Sequence, residues 1–166
     1  MANDAELKAL AGQISEVMLS EKMTVTTAES CTGGWVAKAL TDIPGSSAWF
    51  SSGFVAYSDD AKARELGVRE EIIAKHGAVS DAVVREMAAG AIAISEADTA
   101  VAVSGIAGPD GGTSEKPVGT VWFAWARVRA DGSVTGSSAQ HRFDGDREAV
   151  RRQAVETALK GILELV

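Results

Sequence analysis

The stretch from Thr24 to Ile43 constrains this chain more than any other. Thr24-Val25-Thr26-Thr27 has the β-branched composition of a short strand. From Trp35 on, Val36, Ala39, Leu40 and Ile43 return at helical spacing. Between them lies a small polar turn, Glu29-Ser30-Cys31-Thr32-Gly33-Gly34. A helix N-terminus leaves backbone N–H groups unpaired and carries partial positive charge. Glycines let another group approach that backbone. A hydroxyl beside such donors suits phosphate binding or acyl-transfer chemistry. The same residues would also serve a plain turn, with Ser30 or Thr32 capping the helix and Gly33-Gly34 closing the bend. The turn is neither a Walker loop nor a G-x-S-x-G elbow.

The rest of the chain alternates between the two periods. Leu7, Leu10, Ala11, Ile14, Val17 and Met18 share one helical face from Asn3 to about Ser20, and Asn3 with Glu6 reads as a capping box. Pro44-Gly45 stops the helix that follows the turn. Trp49 to Tyr57 reads as a strand in which Gly53 marks a bulge or a close backbone approach. Ser58-Asp59-Asp60 opens a short helix through Leu66, Arg69 to Lys75 forms another, and Ser80-Asp81 opens a long one to about Glu96.

Thr99 to Val103 is apolar without alternation, as in a strand covered on both faces. The segment 104–119 is then a long loop, dense in glycine and with two prolines, of the kind that tends to be functional. Thr120 to Val128 is a strong strand, 134–143 a more polar edge strand, and Gly145-Asp146 leads into a last amphipathic helix. Interleaved helices and strands predict an α/β fold: one three-layer α/β/α domain over 1–166, around a mixed sheet of about five strands. Such sheets bind ligands at strand ends. The Ser30 turn, the Tyr57 end and the 104–119 loop all follow strands and could share one cleft.

Composition narrows the function. The net charge of −7 argues against nucleic acid or an anionic membrane as partner, but not against a small anionic ligand. One cysteine and two histidines leave no metal cluster and no internal disulfide to expect, and no cofactor is called for. No apolar run approaches membrane-spanning length, and the N-terminus lacks a signal-peptide pattern, so a cytoplasmic protein is expected. The generous apolar helix faces leave room for a homodimer. The tryptophans, Trp35, Trp49, Trp122 and Trp125, are expected in the core.

Several blocks, in order and spanning nearly the whole chain, resemble one family. They are Thr27-Ala-Glu-Ser-Cys-Thr-Gly-Gly34, Gly53-Phe-Val-Ala-Tyr-Ser58 with Ala61-Lys62 and Leu66-Gly-Val68, and His76-Gly-Ala-Val-Ser80. Ser104-Gly-Ile-Ala-Gly-Pro109 with Lys116-Pro-Val-Gly119 and Phe143-Asp-Gly-Asp-Arg147 complete the set. The chain resembles the nicotinamide-nucleotide amidases, the stand-alone form of the C-terminal domain of competence/damage-inducible CinA proteins. The partner domain of the longer CinA proteins is not expected here.

The resemblance implies hydrolysis of the carboxamide of nicotinamide mononucleotide, a small-molecule nucleotide substrate, to nicotinate mononucleotide and ammonia in pyridine-nucleotide recycling. It puts the nucleophile on Ser30 and the associated tyrosine and lysine on Tyr57 and Lys62. Many relatives have threonine where Ser104 stands, and either supplies a hydroxyl.

Amide hydrolysis needs a nucleophile, a base, an acid for the ammonia and donors for the oxyanion. His76 and His141 are far along the chain from Ser30 and neither is an obvious partner; a lysine base, as in Ser-Lys enzymes, is the alternative. A free lysine is protonated at neutral pH and must be brought down by burial or neighbouring donors before it can act. On spacing alone Lys62 would be a solvated helix lysine, Tyr57 a core or edge aromatic, and Cys31 buried filler.

The N–H groups of Thr32, Gly33 and Gly34 are oxyanion candidates. For the substrate and its phosphate, Ser104, Gly105, Gly108, Gly111, Gly112 and Lys116 of the long loop compete with Arg147. Glu29 is read as a hydrogen-bonding residue of the turn rather than a base. Two readings from other classes stay open: a non-catalytic nucleotide- or phosphate-binding module, and an interaction domain of a DNA-uptake or damage response. A Ser30 far from Lys62 in space would favour the former.

Overall fold

The computed structural model describes residues 1–166. Helix α1 (Asp4–Glu21) begins at the expected capping box: Glu6 N–H donates to Asn3 Oδ1, and Asn3 N–H donates to the Glu6 carboxylate. Strand β1 (Val25–Glu29) runs into the polar turn and helix α2 (Trp35–Thr41). A one-turn 3₁₀ segment (Ser46–Ala48) leads to β2 (Phe50–Val55). Helices α3 (Asp59–Leu66), α4 (Glu70–His76) and α5 (Asp81–Ser95) follow. Strands β3 (Thr99–Gly105), β4 (Thr120–Val128) and β5 (Val134–Arg142) and helix α6 (Arg147–Leu165) end the chain. Ser58 and Ser80 cap α3 and α5 with their hydroxyls, and Gly67 closes α3.

The sheet has the order β2-β1-β3-β4-β5. The pairs β1–β2 and β1–β3 are parallel; β3–β4 and β4–β5 are antiparallel. The mixed five-stranded sheet is as expected, and β5 is an edge. The antiparallel pairing of β3 with β4 makes the long loop a hairpin connection, a second hairpin beside the one that joins β4 to β5. The irregularity expected in β2 lies near Val25 and Phe50, where the register slips. Of the two readings of Gly53, the close approach holds: a Cβ there would stand 2.9 Å from Thr27 Oγ1.

Two cores sandwich the sheet. Val25, Val101, Val103, Val121, Phe123 and Trp125 face α1, α2 and α6. The opposite face presents Ala28, Ala100, Ala102, Ala124 and Ala126 to α3, α4 and α5. Small side chains there let α5 lie close to the sheet. Helix α5 also meets α3 closely: a Cβ on Gly90 would fall 1.8 Å from the Leu66 carbonyl oxygen. That contact sets how closely α3, the Lys62 helix, approaches α5. Of the tryptophans, Trp49 and Trp125 are buried, whereas Trp35 and Trp122 are only partly so. Trp35 sits at the surface because it stacks on Arg151 and Arg152 of α6.

Candidate active site

Ser30 leaves the C-terminal end of β1, where its N–H still donates to the Val103 carbonyl of the neighbouring strand at 2.9 Å. Gly33 and Gly34 have φ of +62° and +92°, which glycine adopts without the Cβ penalty. Gly34 is the N-cap of α2 and brings no side chain to cap it. Glu29 does that work from the strand: its carboxylate accepts from the N–H groups of Val36 at 2.8 Å and Ala37 at 3.0 Å. Burial pushes the Glu29 carboxyl above its ordinary range, and the α2 N–H groups oppose that push. Glu29 is a hydrogen-bonding residue, as read from sequence, but its bonds tie the strand to the helix, and its carboxylate is engaged there.

Lys62 reaches Ser30 from α3. Its Nζ is 3.1 Å from Ser30 Oγ and 3.1 Å from the Tyr57 carbonyl oxygen. The side chain is 1% exposed, against the solvated lysine that spacing alone suggested. Burial lowers its pKa, with Asp59 acting in the other direction. A neutral amine in this position donates to the Tyr57 carbonyl and offers its lone pair to the Ser30 hydroxyl.

Tyr57 touches the pair through its backbone. Its phenol is largely exposed and accepts from Arg147 at 2.9 Å. Arg147 in turn donates to the Gly108 carbonyl at 2.8 Å, so the long loop, α6 and the Tyr57 ring form one rim.

The remaining sequence candidates divide. Gly33 N–H is occupied by the Ser30 carbonyl at 3.0 Å, and Gly34 N–H leans on Glu29. The N–H groups of Thr32 and of Cys31, the latter passed over by sequence reasoning, meet no backbone acceptor. Ser104 is buried and donates to the Ala78 carbonyl at 2.8 Å. Lys116 donates to the His76 carbonyl at 2.7 Å. Both thus brace the 76–80 turn against the loop. Gly105 and Gly112 are packed tightly, against Val121 and Val118 respectively, while Gly111 lies in the exposed tip. Cys31 is buried, and its thiol is pushed up to about 12, mainly by that burial. No three His, Cys, Asp or Glu side chains are grouped to hold a metal ion, and no helix is long and apolar enough to cross a membrane.

Fold and site together define a three-layer α/β/α protein with a buried serine–lysine pair beneath strand-end loops. The chain belongs to the CinA C-terminal domain family, whose profile matches residues 7–166. It is 59% identical over 157 residues to the nicotinamide-nucleotide amidohydrolase PncC of Escherichia coli K12, covering 95% of this chain and 93% of that protein. It is 56% identical over 156 residues to the protein of the same name from Pseudomonas putida, covering 94% of each. A crystal structure of a CinA-superfamily protein from Escherichia coli superposes with a TM-score of 0.91 at 37% identity, covering all of this chain and 94% of the other.

Proposed function

We propose that this chain hydrolyses the carboxamide of nicotinamide mononucleotide to nicotinate mononucleotide and ammonia, with Ser30 as nucleophile and Lys62 as base. The observation that carries the reading is the 3.1 Å contact between a serine hydroxyl and a buried lysine whose pKa burial lowers. The relatives named as nicotinamide-nucleotide amidohydrolases support the substrate.

Neutral Lys62 takes the Ser30 proton as Oγ bonds to the carboxamide carbon. The C=O electrons move onto oxygen, near the free N–H groups of Cys31 and Thr32. One such donor is typically worth about 2.7–4 kcal/mol of barrier. As the tetrahedral species collapses, the C–N bond breaks, and the Lys62 ammonium returns the proton to the leaving nitrogen, which departs as ammonia. Water then attacks the Ser30 ester with Lys62 again as base, releasing the carboxylate and restoring the serine. Tyr57 serves this cycle with its carbonyl, which orients the amine; its phenol and Arg147 form the rim where the nucleotide enters. Arg147 and the loop beside it are the groups for the substrate phosphate.

The test is ammonia release from nicotinamide mononucleotide, with nicotinamide, its ribonucleoside and NAD as comparisons. The mononucleotide should be the preferred substrate, and Ser30→Ala should give background rates while still binding it. Equal turnover of the nucleoside would remove the phosphate site. Binding without release by the wild-type chain would make it a nucleotide-binding module instead.

A further inference from the structure

Arg151 is one turn into α6 and 120 residues from the nucleophile turn, yet it grips that turn from behind. Its Nε donates to the Cys31 carbonyl at 3.0 Å and its NH2 to the Thr32 carbonyl at 3.0 Å. The guanidinium lies 5.6 Å from the centroid of Trp35, at the start of α2. Neighbouring Arg152, by contrast, pairs with Asp4 and Glu148. The bonded nitrogens of Arg151 go to backbone, not to a carboxylate. A guanidinium fork is suited to holding two acceptors at once. Gly33 leaves it room: a Cβ there would stand 3.2 Å from Arg151 NH2.

The consequence follows from peptide geometry. The one cis bond of the chain is Gly108–Pro109, so the Cys31–Thr32 and Thr32–Gly33 peptides are trans, and in each the C=O and N–H point oppositely. The Thr32–Gly33 peptide is pinned at both ends, its oxygen by Arg151 and its N–H by the Ser30 carbonyl. The Cys31–Thr32 peptide is pinned only at its oxygen, and its N–H, that of Thr32, is free. Helix α6, which carries Arg151, and α3, which carries Lys62, cover opposite faces of the sheet. An N–H turned away from Arg151 is turned to the side from which Lys62 reaches Ser30.

We propose that Arg151 is a positioning residue of the nucleophile turn, fixing the Cys31–Thr32 peptide so that the Thr32 N–H stands ready as an oxyanion donor. The proposal rests on Ser30 being the nucleophile. Arg151 touches no reacting atom. It lowers the reorganisation needed when charge develops on the carboxamide oxygen.

The experiment measures Ser30 phosphonylation by an alkyl fluorophosphonate, followed by mass spectrometry of the Ser30 peptide. The reaction forms an Oγ–P bond, expels fluoride and sends the proton to Lys62. It needs nucleophile and oxyanion donors but no nicotinamide. In Arg151→Met the labelling rate should fall by about 10²–10³-fold, the scale of losing one fixed donor. Turnover of nicotinamide mononucleotide should show the same loss in kcat with KM little changed. The rise of rate with pH that reports Lys62 should stay where it is. Arg151→Lys keeps the charge over Trp35 but reaches one carbonyl at a time, so its labelling should also fall by at least about tenfold; this variant carries the test if the methionine variant does not fold. Wild-type labelling rates in Arg151→Lys would overturn the proposal and leave Ser30 as nucleophile. A raised KM with unchanged kcat would also overturn it, making Arg151 a substrate-binding group. Failure of the wild-type chain to label at Ser30 would overturn both this proposal and the reading beneath it.

Discussion

Replacing Lys62 by methionine separates what the buried amine costs the fold from what it gives the reaction. Methionine keeps much of the apolar stem and removes the amine. The variant loses hydrogen bonds to Ser30 Oγ and the Tyr57 carbonyl, each worth about 0.5–1.5 kcal/mol. It also escapes the cost of holding an ammonium away from water. Because burial lowers the Lys62 pKa in the folded chain, the unfolded chain binds more protons between that lowered value and the ordinary one near 10.5. The wild-type protein therefore gains stability relative to Lys62→Met as pH rises through that window, by at most about 1.4 kcal/mol per pH unit. Its advantage is complete above the ordinary lysine pKa and is lost as pH falls to the lowered one.

Urea unfolding of both proteins from pH 6 to 10.5, followed by the fluorescence of buried Trp49 and Trp125, measures the difference directly. Turnover by the variant should drop by about 10²–10⁴-fold, the range for losing a general base. A stability difference that is flat or declines with pH would mean that Lys62 does not titrate from a lowered pKa, and the base assignment would fail with it.

Three other substitutions probe the surroundings. Cys31→Ala should retain most activity, and the wild-type thiol should resist iodoacetamide at pH 8 until the chain unfolds, since burial raises its pKa to about 12; rapid alkylation of the native enzyme would contradict this. Gly90→Ala should destabilise the fold by about 1–3 kcal/mol and lower kcat, because the new methyl meets the Leu66 carbonyl and pushes α3, with Lys62, off α5; a neutral effect on both unfolding and rate would show that α3 has slack. Tyr57→Phe keeps the carbonyl that holds Lys62 and removes the hydroxyl on Arg147, so steady-state kinetics should show KM raised more than kcat lowered; a large fall in kcat alone would put the phenol in the proton path instead.

What could be read from the sequence was mostly what neighbours in the chain decide. The capping box at Asn3, the serine caps at Ser58 and Ser80 and the strand over 120–128 depend on residues within a turn or a pleat of one another, and they stand as expected. The turn after β1 announced itself through its glycines. Lys62 did not: it lies 32 residues from Ser30, and only family resemblance picked it from the other lysines. Arg151 was invisible for the same reason, its partners being about 120 residues away.

The long loop was legible as a loop, but not the use of its polar groups. Ser104 and Lys116 looked like ligand donors and are spent on the carbonyls of Ala78 and His76, because tertiary packing brings the 76–80 turn against them. Tyr57 was picked out by family resemblance as a tyrosine, whereas the atom that meets the pair is one that every residue carries.

In the proposed reaction Lys62 works as an unprotonated amine rather than as a fixed positive charge. Lys62→Arg tests this most directly, because a guanidinium keeps the charge and cannot accept a proton. Ammonia release from nicotinamide mononucleotide by this variant should be about 10²–10⁴-fold below wild type at neutral pH. Turnover near the wild-type rate would make Lys62 a positive charge for the substrate and require another group to activate Ser30.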